Sequence, residues 1–212
     1  MNPAREIKKR AEENTRVRFL SPEEEAELMR VIREESPARE AEILVALHSG
    51  MRRSEQYRTA QVPDGGLKWE HVNLRTGIIR LLRSKSTKPR HIPMNSVLRR
   101  TLAQIPRVIS TPFVFSGEPD KWFAESCAKA KIEDFTWHDL RHTFASRLVM
   151  AGVPIRNVAE LMGHSEITTT MRYAHLAPQY LADAVEFLAQ PQVEKSTRMS
   201  TKSFAVSGDD GK

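Results

Sequence analysis

Apolar residues recur at intervals of three and four residues along the first part of the chain, which is the spacing of an amphipathic helix. The stretch "LSPEEEAELMRVIREE" places Leu28 and Ile32 on one face. Ser21 is suited to cap this helix, with Pro22 at its first position and Glu24 as the acid of a capping box. The pattern therefore predicts a helix that begins after Ser21 and packs on a core.

The same reasoning predicts further helices and one pair of strands. The motif "SPARE" leads into the apolar run "ILVAL", and this second helix is expected to stop near Gly50. Between 77 and 94, "GIIRLLRSKSTKPRHIPM" predicts two strands joined by a basic turn, hence a β-hairpin. Later helices are expected at 120–131, 137–151, 154–162 and around 166–189, the last with an apolar stripe of Leu181, Ala184, Val185 and Leu188. These elements predict an α+β fold that is mainly α, with one helical domain and a small antiparallel β-sheet.

The composition supports a folded core but does little to select a function. Apolar residues make up 40% of the 212 residues, and Lys and Arg exceed Asp and Glu by 33 to 27, giving a pI near 9.6. Such a basic surplus is compatible with nucleic acid and with many other partners. The single cysteine, Cys127, excludes an intramolecular disulfide and is expected in the core, and the sequence has no apolar run long enough to span a membrane. We expect a soluble, cytoplasmic protein with a polar lead-in at 1–17 and a disordered tail at 190–212.

The stretch "TWHDLRHTFAS" presents a choice between a cation site and an anion site. Two histidines four residues apart, His138 and His142, outline a helical metal site. Thr136 and Asp139, however, form a capping box that places His138 in the first turn, where free backbone N–H groups favour a negative ligand. Arg141 shares that face three residues later, and its guanidinium repels a metal ion. The pattern favours a His–Arg pair that faces a phosphate.

Less specific interpretations stay open for several of these residues. His142 is interpreted as an ordinary, partly buried histidine that points away from the site, and Asp139 as a helix cap without a chemical role. From this stretch alone, His138 and Arg141 are as compatible with a structural role as with a functional one. The apolar residues that recur at helical spacing are expected in the core, namely Leu140, Phe144 and Leu148.

Two further motifs place related chemistry elsewhere in the chain. The run "SGMRRSEQ" puts Arg52 just after a glycine stop, where a new helix begins. The run "LMGHSEITTTMRYAHL" ends a helix at Gly163, projects His164 from the turn and carries Tyr173 nine residues later. Together with a lysine in the hairpin, the order is Arg, Lys, His-x-x-Arg, His, Tyr. From about residue 18 to residue 188 the chain therefore resembles the catalytic domain of tyrosine recombinases, the lambda-type phage integrase family.

The resemblance implies a DNA strand transferase that acts through a covalent 3′-phosphotyrosyl intermediate and needs no metal ion or other cofactor. It implies catalytic roles for Arg52, Lys85, His138, Arg141, His164 and Tyr173. The two arginines would clamp the scissile phosphate, and Tyr173 would be the nucleophile. Lys85, counted back from Pro93, would protonate the leaving oxygen. His138 would accept the tyrosine proton, and His164 would bond a phosphate oxygen.

Neighbouring residues receive supporting roles in the same interpretation. Glu55, three residues after Arg52, is expected to hold that guanidinium in place, and Asp139 to support the helix start. Contacts to DNA phosphates are expected from Arg53, Lys88, Arg90 and Arg172. Tyr57 and Tyr180 are weaker candidates for the nucleophile because neither follows a glycine–histidine turn.

The resemblance also implies partners. Double-stranded DNA is the expected substrate, and no membrane partner is expected. The isolated chain is expected to be a monomer without DNA, and a full-length form to assemble as a tetramer on paired DNA sites through its C-terminal helix. The stripe at 181–188 could serve that docking or pack on its own core. The N-terminal DNA-gripping domain of the family is expected to be absent, and "QYRTAQVPDGGLK" after Glu55 is expected to be an inserted surface loop that leaves the site intact.

Two other functions stand as alternatives. The chain could be a catalytically silent DNA-binding relic of an integrase, or a metal-dependent hydrolase built on "HDLRH". A covalent DNA adduct that depends on Tyr173 and forms in EDTA distinguishes the recombinase from both.

Overall fold

A computed structural model of the chain describes residues 17–81 and 89–178. Several sequence predictions lie outside these residues: most of the polar lead-in, the basic turn with Lys85 and Lys88, the apolar stripe at 181–188, and the tail. Within the described ranges, no helix combines the length and the apolar character that crossing a membrane requires.

Eight α-helices and three β-strands form the described part of the chain. The helices are α1 (Pro22–Glu35), α2 (Glu40–Ser49), α3 (Arg53–Gln56), α4 (Ser96–Gln104), α5 (Asp120–Lys129), α6 (Trp137–Met150), α7 (Ile155–Met162) and α8 (Thr168–Met171). The strands are β1 (Val72–Asn73), β2 (Ile78–Leu81) and β3 (Arg90–Pro93). Short 3₁₀ turns lie at Pro37–Arg39, Trp69–His71 and Ala174–Leu176.

The first helix forms as the sequence predicts. The Glu24 backbone N–H donates to the Ser21 hydroxyl oxygen at 3.1 Å, and the Ser21 N–H donates to the Glu24 carboxylate at 2.9 Å. This reciprocal capping box begins α1 at Pro22. Leu28 and Ile32, both 0% exposed, pack the helix into the first core cluster. The predicted start and the predicted apolar face are confirmed.

The second helix ends at a glycine that brings two distant segments together. Gly50 has a φ of +60°, and a Cβ at this position would lie 2.3 Å from a ring carbon of Phe144 on α6. Glycine alone combines this left-handed backbone with such close packing. The end of α2 therefore lies against α6, and Arg52 comes close enough to Arg141 for their charges to interact.

The three strands form one antiparallel sheet in the order β1–β2–β3. Ile79 on β2 pairs with Ile92 on β3, and both side chains are buried. They pack with Leu98 and Leu102 of α4 in a second core cluster. The two strands of the predicted hairpin are confirmed, and the sheet holds β3 next to α7.

The chain after Gly163 differs from its prediction. The prediction of one long helix around 166–189 is wrong within the described residues, because α8 spans only Thr168–Met171 and a 3₁₀ turn follows at Ala174–Leu176. The three consecutive threonines of α8 favour a helix weakly, since their branched side chains lose rotamer freedom there. The break places Tyr173 in a turn, and its ring packs inward. The short helix α3 begins after Arg52 as predicted, whereas β1 and α4 were not predicted from the sequence.

Aromatic rings anchor the start of α6. Trp137 is 6% exposed, and its ring meets those of Tyr57, Trp122 and Phe123 edge-on, with centroids 5.4, 5.7 and 5.0 Å away. Cys127 is buried in the same cluster, as predicted. Such edge-to-face packing stabilises aromatic cores beyond simple burial. The cluster therefore fixes the helix that carries "HDLRH".

The loop after α3 forms a surface turn at the predicted position. Pro63 and Asp64 are exposed at its tip. The Gly66 N–H donates to the Ser54 carbonyl oxygen at 3.0 Å, so the loop closes back on α3. The loop residues are thus held in a local surface turn beside α3.

Candidate active site

Arg141 is buried, with 3% of its surface exposed. Its guanidinium donates to the backbone carbonyl oxygens of Gly50 and Met162, the latter at 2.5 Å. These oxygens stand at the C-terminal ends of α2 and α7, where unpaired carbonyls and the helix dipole favour a positive charge. Two helix ends therefore orient Arg141, and its other N–H groups are left for further bonds.

Arg52 adds a second positive charge beside Arg141. It caps the start of α3, and 27% of its side chain is exposed. Burial, followed by repulsion from Arg52, lowers the pKa of Arg141 to about 9, which keeps it protonated at neutral pH. Two guanidiniums that repel each other gain most from an anion bound between them. The pair is thus suited to hold a phosphate.

Glu55 supports this pair in a different way from the prediction. Its carboxylate accepts two hydrogen bonds from Arg90, at 2.7 and 2.8 Å, and one from the Arg52 backbone N–H at 2.7 Å. The Arg52 guanidinium is farther away, at 3.5 Å. Burial alone would raise the pKa of Glu55, but the bonds and charge of Arg90 outweigh burial and lower it. The carboxylate therefore fixes the backbone at Arg52 more than its side chain.

Arg90 is not placed to contact DNA, and that prediction is corrected. It is 8% exposed, its two terminal nitrogens bond Glu55, and its Nε donates to the Leu161 carbonyl oxygen at 3.0 Å. A guanidinium enclosed in this way joins β3, α3 and α7 instead of reaching outward. No local pattern predicts this pairing, because it joins residues 35 positions apart.

Gly163 permits the close packing of Arg90 under the turn that carries His164. Its φ is +65°, and a Cβ there would lie 2.7 Å from an Arg90 terminal nitrogen. The turn after α7 thus rests directly on the Arg90–Glu55 pair. His164 then bonds Thr170 through its Nδ1 at 2.7 Å. Burial, then the charges of Arg141 and Arg52, lower the pKa of His164 to about 4, so the ring is neutral at pH 7.

Tyr173 lies in the turn between α8 and the following 3₁₀ turn, and it is 1% exposed. Its ring packs among apolar side chains of α6 and α7, namely Ala145, Val149, Val158 and Met162. Its hydroxyl oxygen lies 2.5 Å from Nδ1 of His142. Burial raises the pKa of Tyr173 to about 12, although the charges of Arg141 and Arg172 oppose that rise. The tyrosine is therefore protonated and hydrogen-bonded in the DNA-free protein.

His142 was missed by the sequence reasoning, and its interpretation as a histidine that points away from the site is wrong. It contacts Tyr173, and its ring lies edge-on to that of His138, with centroids 4.8 Å apart. Burial, then the neighbouring His138, lower the pKa of His142 to about 4. The spacing of four residues from His138 already placed both rings on one face. Only the return of the chain at Tyr173 shows what that face contacts.

His138, next to the contact between His142 and Tyr173, is exposed to solvent. Partial burial of its ring, then the charges of Arg141 and Arg52, lower its pKa. Asp139 caps the helix as predicted, since its carboxylate accepts a hydrogen bond from the Thr136 backbone N–H at 2.7 Å. The first turn of α6 therefore presents His138 to solvent with its helix start firmly held.

The remaining predicted residues lie at the edge of the site or outside the described part. Arg53 forms an exposed ion pair with Asp120. Arg172 is exposed, and its charge lowers the pKa of His138 and of His142. Lys85 and Lys88 lie outside the described residues, as does Tyr180. The structure thus brings together Arg52, His138, Arg141, His164 and Tyr173, and adds His142.

The alternative interpretations fit this geometry poorly. Tyr57 is 0% exposed within the aromatic core, and its hydroxyl donates to the Glu42 carboxylate at 2.5 Å, so it is a core residue. Among residues 17–81 and 89–178, no three side chains of His, Cys, Asp or Glu converge as a metal ion would require. Nδ1 of His142 is bonded to the Tyr173 hydroxyl, so the pair His138 and His142 does not present two open nitrogens to a metal ion.

Comparison with known proteins gives this arrangement a context. The sequence profile described as the phage integrase family matches residues 18–180. The chain is 33% identical over 192 residues to the integrase of Salmonella phage P22, covering 80% of this chain and 46% of that protein. It is 30% identical over 167 residues to tyrosine recombinase XerC of Stutzerimonas stutzeri, covering 72% and 52%. The chain therefore spans about half the length of these curated relatives.

Solved structures show the same fold. The catalytic domain of bacteriophage HP1 integrase superposes with a TM-score of 0.64 at 28% identity, covering 81% of this chain and 95% of that one. The Tn1549 transposon integrase in complex with transposon right end DNA gives a TM-score of 0.67 at 22% identity, covering 85% and 69%, which is a likeness of fold alone. The predicted α+β fold, mainly helical with a small antiparallel sheet, is confirmed.

Proposed function

Because the chain belongs to the phage integrase family, we propose that it is the catalytic part of a site-specific DNA recombinase. It cuts a DNA strand by attack of Tyr173 on a phosphodiester and rejoins strands through the resulting 3′-phosphotyrosyl bond. One observation carries this proposal: the hydroxyl of a buried tyrosine lies 2.5 Å from Nδ1 of His142, in a cluster that also contains Arg52, Arg141, His138 and His164.

A covalent enzyme–DNA bond is what the exchange of strands requires. Hydrolysis would lose the energy of the phosphodiester, whereas an ester to tyrosine conserves it for rejoining. The Tyr173 oxygen attacks phosphorus, the bond from phosphorus to the 5′-oxygen breaks, and the 5′-hydroxyl leaves. A 5′-hydroxyl from another duplex then attacks the phosphotyrosine and releases Tyr173.

The two arginines stabilise the charge that develops on phosphorus. The pentacoordinate intermediate carries more negative charge on its non-bridging oxygens than the starting diester. Arg52 and Arg141 are positioned before DNA arrives, Arg141 by two helix-end carbonyls and Arg52 by its place at the start of α3. Donors fixed in advance need no reorganisation in the transition state, which makes their stabilisation effective.

Proton transfers complete the reaction. The leaving 5′-oxygen needs a proton, and a flexible ammonium such as Lys85 is suited to supply it. His164, neutral and bonded to Thr170, is suited to bond a phosphate oxygen. His138, exposed at the start of α6, is suited to contact the same phosphate or its neighbour. These roles need no metal ion, because the arginines supply the positive charge.

Double-stranded DNA is the proposed partner. Arg53, Arg172 and Lys88 are the residues proposed to contact backbone phosphates around the cut. A recombinase of this kind acts in the cytoplasm, as a monomer when free and as a tetramer on paired sites in a full-length form. The Tn1549 integrase whose fold this chain shares was solved in complex with DNA, which supports DNA as the partner.

Covalent capture tests the proposal without knowledge of the target sequence. A pool of randomised DNA duplexes, each nicked near its centre, is incubated with the chain in EDTA, and adducts are separated on a denaturing gel. The short 5′-hydroxyl fragment diffuses away after cleavage, so the phosphotyrosyl bond accumulates. We expect an adduct with wild-type protein and with the matched control Tyr180→Phe, and none with Tyr173→Phe.

Other results would point elsewhere. DNA binding without an adduct, from a folded wild-type chain, would identify a catalytically silent relic. Cleavage that EDTA abolishes would indicate a metal-dependent hydrolase. An adduct that persists in Tyr173→Phe would assign the nucleophile to another residue.

A further inference from the structure

The hydrogen bond between Tyr173 and His142 joins a protonated phenol to a neutral imidazole. Within a site closed to solvent, a phenol O–H needs an acceptor, and Nδ1 of His142 is the partner at 2.5 Å. The pKa of His142, lowered to about 4, leaves the ring neutral at pH 7, with one bare nitrogen. The pKa of Tyr173, raised to about 12, keeps the proton on the phenol. In the tautomer that carries its proton on Nε2, Nδ1 of His142 accepts the hydrogen bond that Tyr173 donates.

From this contact we infer that His142 is a catalytic residue, the base that takes the proton of Tyr173 as its oxygen attacks phosphorus. The assignment rests on the proposed function and adds one role to it, the acceptor of the Tyr173 proton. His138, to which the resemblance gives the proton, is exposed, and its ring meets the edge of His142 instead of the Tyr173 hydroxyl. His138 is then free to contact the phosphate.

The proton balance of the step is simple. As the bond from the Tyr173 oxygen to phosphorus forms, the O–H bond breaks and its proton passes to Nδ1, which makes His142 an imidazolium. The bond to the 5′-oxygen breaks, and that oxygen takes a proton from the general acid. In rejoining, the proton of the attacking 5′-hydroxyl returns to the group that served as general acid, Tyr173 is the leaving group, and His142 gives it a proton. One residue thus serves as base in cleavage and as acid in ligation.

The surroundings explain why the proton moves only during the reaction. In the DNA-free site the phenol holds its proton far more strongly than the ring does. Bond formation to phosphorus removes electron density from the attacking oxygen and weakens its O–H bond. A bound phosphate also brings negative charge, which raises the pKa of a nearby histidine. The charged and titratable groups around His142 are His138, Asp139 and Arg141 on α6, His164 after α7, and Arg172 and Tyr173 on the segment that follows.

The position of His142 suits this role in a second way. It follows Arg141 directly on α6, a helix fixed at its start by the aromatic cluster and along its length by Phe144 against Gly50. The base and one arm of the phosphate clamp therefore share a rigid element. Because Tyr173 is 1% exposed, its oxygen meets DNA only after nearby side chains have moved, and the bond to His142 keeps that oxygen beside Arg141.

The first test needs no DNA. Nitrogen chemical shifts of His142, measured by NMR near neutral pH, report which ring nitrogen carries the proton. We expect a neutral ring with its proton on Nε2, and a shift at Nδ1 when Tyr173→Phe removes the donor. A proton on Nδ1 would make His142 the donor and overturn the inference, whether or not the chain cleaves DNA.

The second test separates a base from a positioning residue. His142→Asn keeps a hydrogen-bond acceptor near the place of Nδ1 but cannot take a proton, whereas His142→Phe removes both. On the nicked duplex pool we expect both variants to form adduct about 10²-fold more slowly than wild type near pH 7, the usual size of a general-base effect. Between about pH 7 and 9 their rates should rise about tenfold per pH unit, as the phenolate fraction does, while wild type rises less.

A sulfur leaving group distinguishes the base from the acid. Replacing the bridging 5′-oxygen by sulfur gives a leaving group that needs no proton. On this substrate the rate of adduct formation should recover in Lys85→Ala, and it should stay low in both His142 variants. Full activity of His142→Asn would show that the residue only positions Tyr173. Faster adduct formation by His142→Phe would show that the bond restrains the tyrosine. Either result overturns the inference, while loss of the adduct in wild type itself would count against the proposed function.

Discussion

The two terminal nitrogens of Arg90 donate to the two oxygens of the Glu55 carboxylate, at 2.7 and 2.8 Å, and both side chains are largely closed to solvent. The pair joins β3 to α3, and Arg90 extends the connection to α7 through the Leu161 carbonyl oxygen. Arg52 begins α3, and His164 follows α7. One buried ion pair therefore helps to set the positions of two site residues, Arg52 and His164.

Removing the charge of Glu55 should destabilise the fold strongly. Glu55→Gln leaves the Arg90 guanidinium buried without a counter-charge, which typically costs about 3–5 kcal/mol. The free energy of unfolding from urea titration measures this loss. Arg53→Ala, which removes a similar but exposed pair with Asp120, is the matched control and should cost about 1 kcal/mol or less. Equal losses of unfolding free energy in the two variants would mean that the buried Arg90–Glu55 pair contributes no more stability than an exposed ion pair.

Gly163→Ala should perturb both stability and cleavage. The new Cβ meets Arg90 at 2.7 Å in a left-handed backbone, so the turn and the buried pair must separate. Gly152→Ala is the control, because Gly152 has a φ of +80° and a Cβ there meets no atom within 4 Å. We expect about 1 kcal/mol of destabilisation for Gly152→Ala and about 2–4 kcal/mol for Gly163→Ala, measured by urea unfolding. Adduct formation should fall in Gly163→Ala only, since His164 follows directly.

Arg141→Lys should cleave DNA poorly although it keeps the positive charge. A single ammonium cannot reproduce the planar arrangement that bonds Gly50, Met162 and a phosphate together. We expect adduct formation to fall by about 10²–10³-fold, as when a fixed transition-state donor is lost. Arg147→Lys on the same helix, where Arg147 pairs with Glu25, should keep nearly full cleavage. Rates near wild type for Arg141→Lys would show that charge alone suffices.

Acid should destabilise the fold through His142 and His164. Both have pKa values lowered to about 4 in the folded chain, whereas an unfolded histidine titrates near about 6.5. Between those values the unfolded chain binds more protons, so the free energy of unfolding falls as pH drops through this window. The stability that the two neutral histidines contribute is fully present only above about pH 6.5. Urea unfolding at a series of pH values measures the slope.

The single replacements His142→Asn and His164→Asn should each make this slope shallower, and the double replacement shallower still. Asparagine does not titrate and keeps a hydrogen-bond acceptor for Tyr173 or Thr170. If the slope is unchanged in the double variant, other groups account for the loss of stability in acid.

The helix starts show what local sequence is able to predict. The capping boxes at Ser21 and Thr136 and the stop at Gly50 depend on residues within one turn of each other, and all three lie where predicted. Within the described residues, the single helix predicted around 166–189 is wrong, because "TTT" has weak helix propensity and α8 ends at Met171. Local signals are reliable where the deciding atoms are neighbours in sequence.

The sequence by itself determined the fold class, the family, and the order of chemically competent residues from Arg52 to Tyr173, because periodicity and motif spacing are written in the chain. Tertiary structure decided which side chains these residues contact. In the folded chain Arg90 pairs with Glu55 and is not placed to contact DNA, and the Tyr173 hydroxyl is hydrogen-bonded to His142. These pairings join residues 35 and 31 positions apart, and they depend on how α6, α7 and β3 pack, which no local pattern encodes.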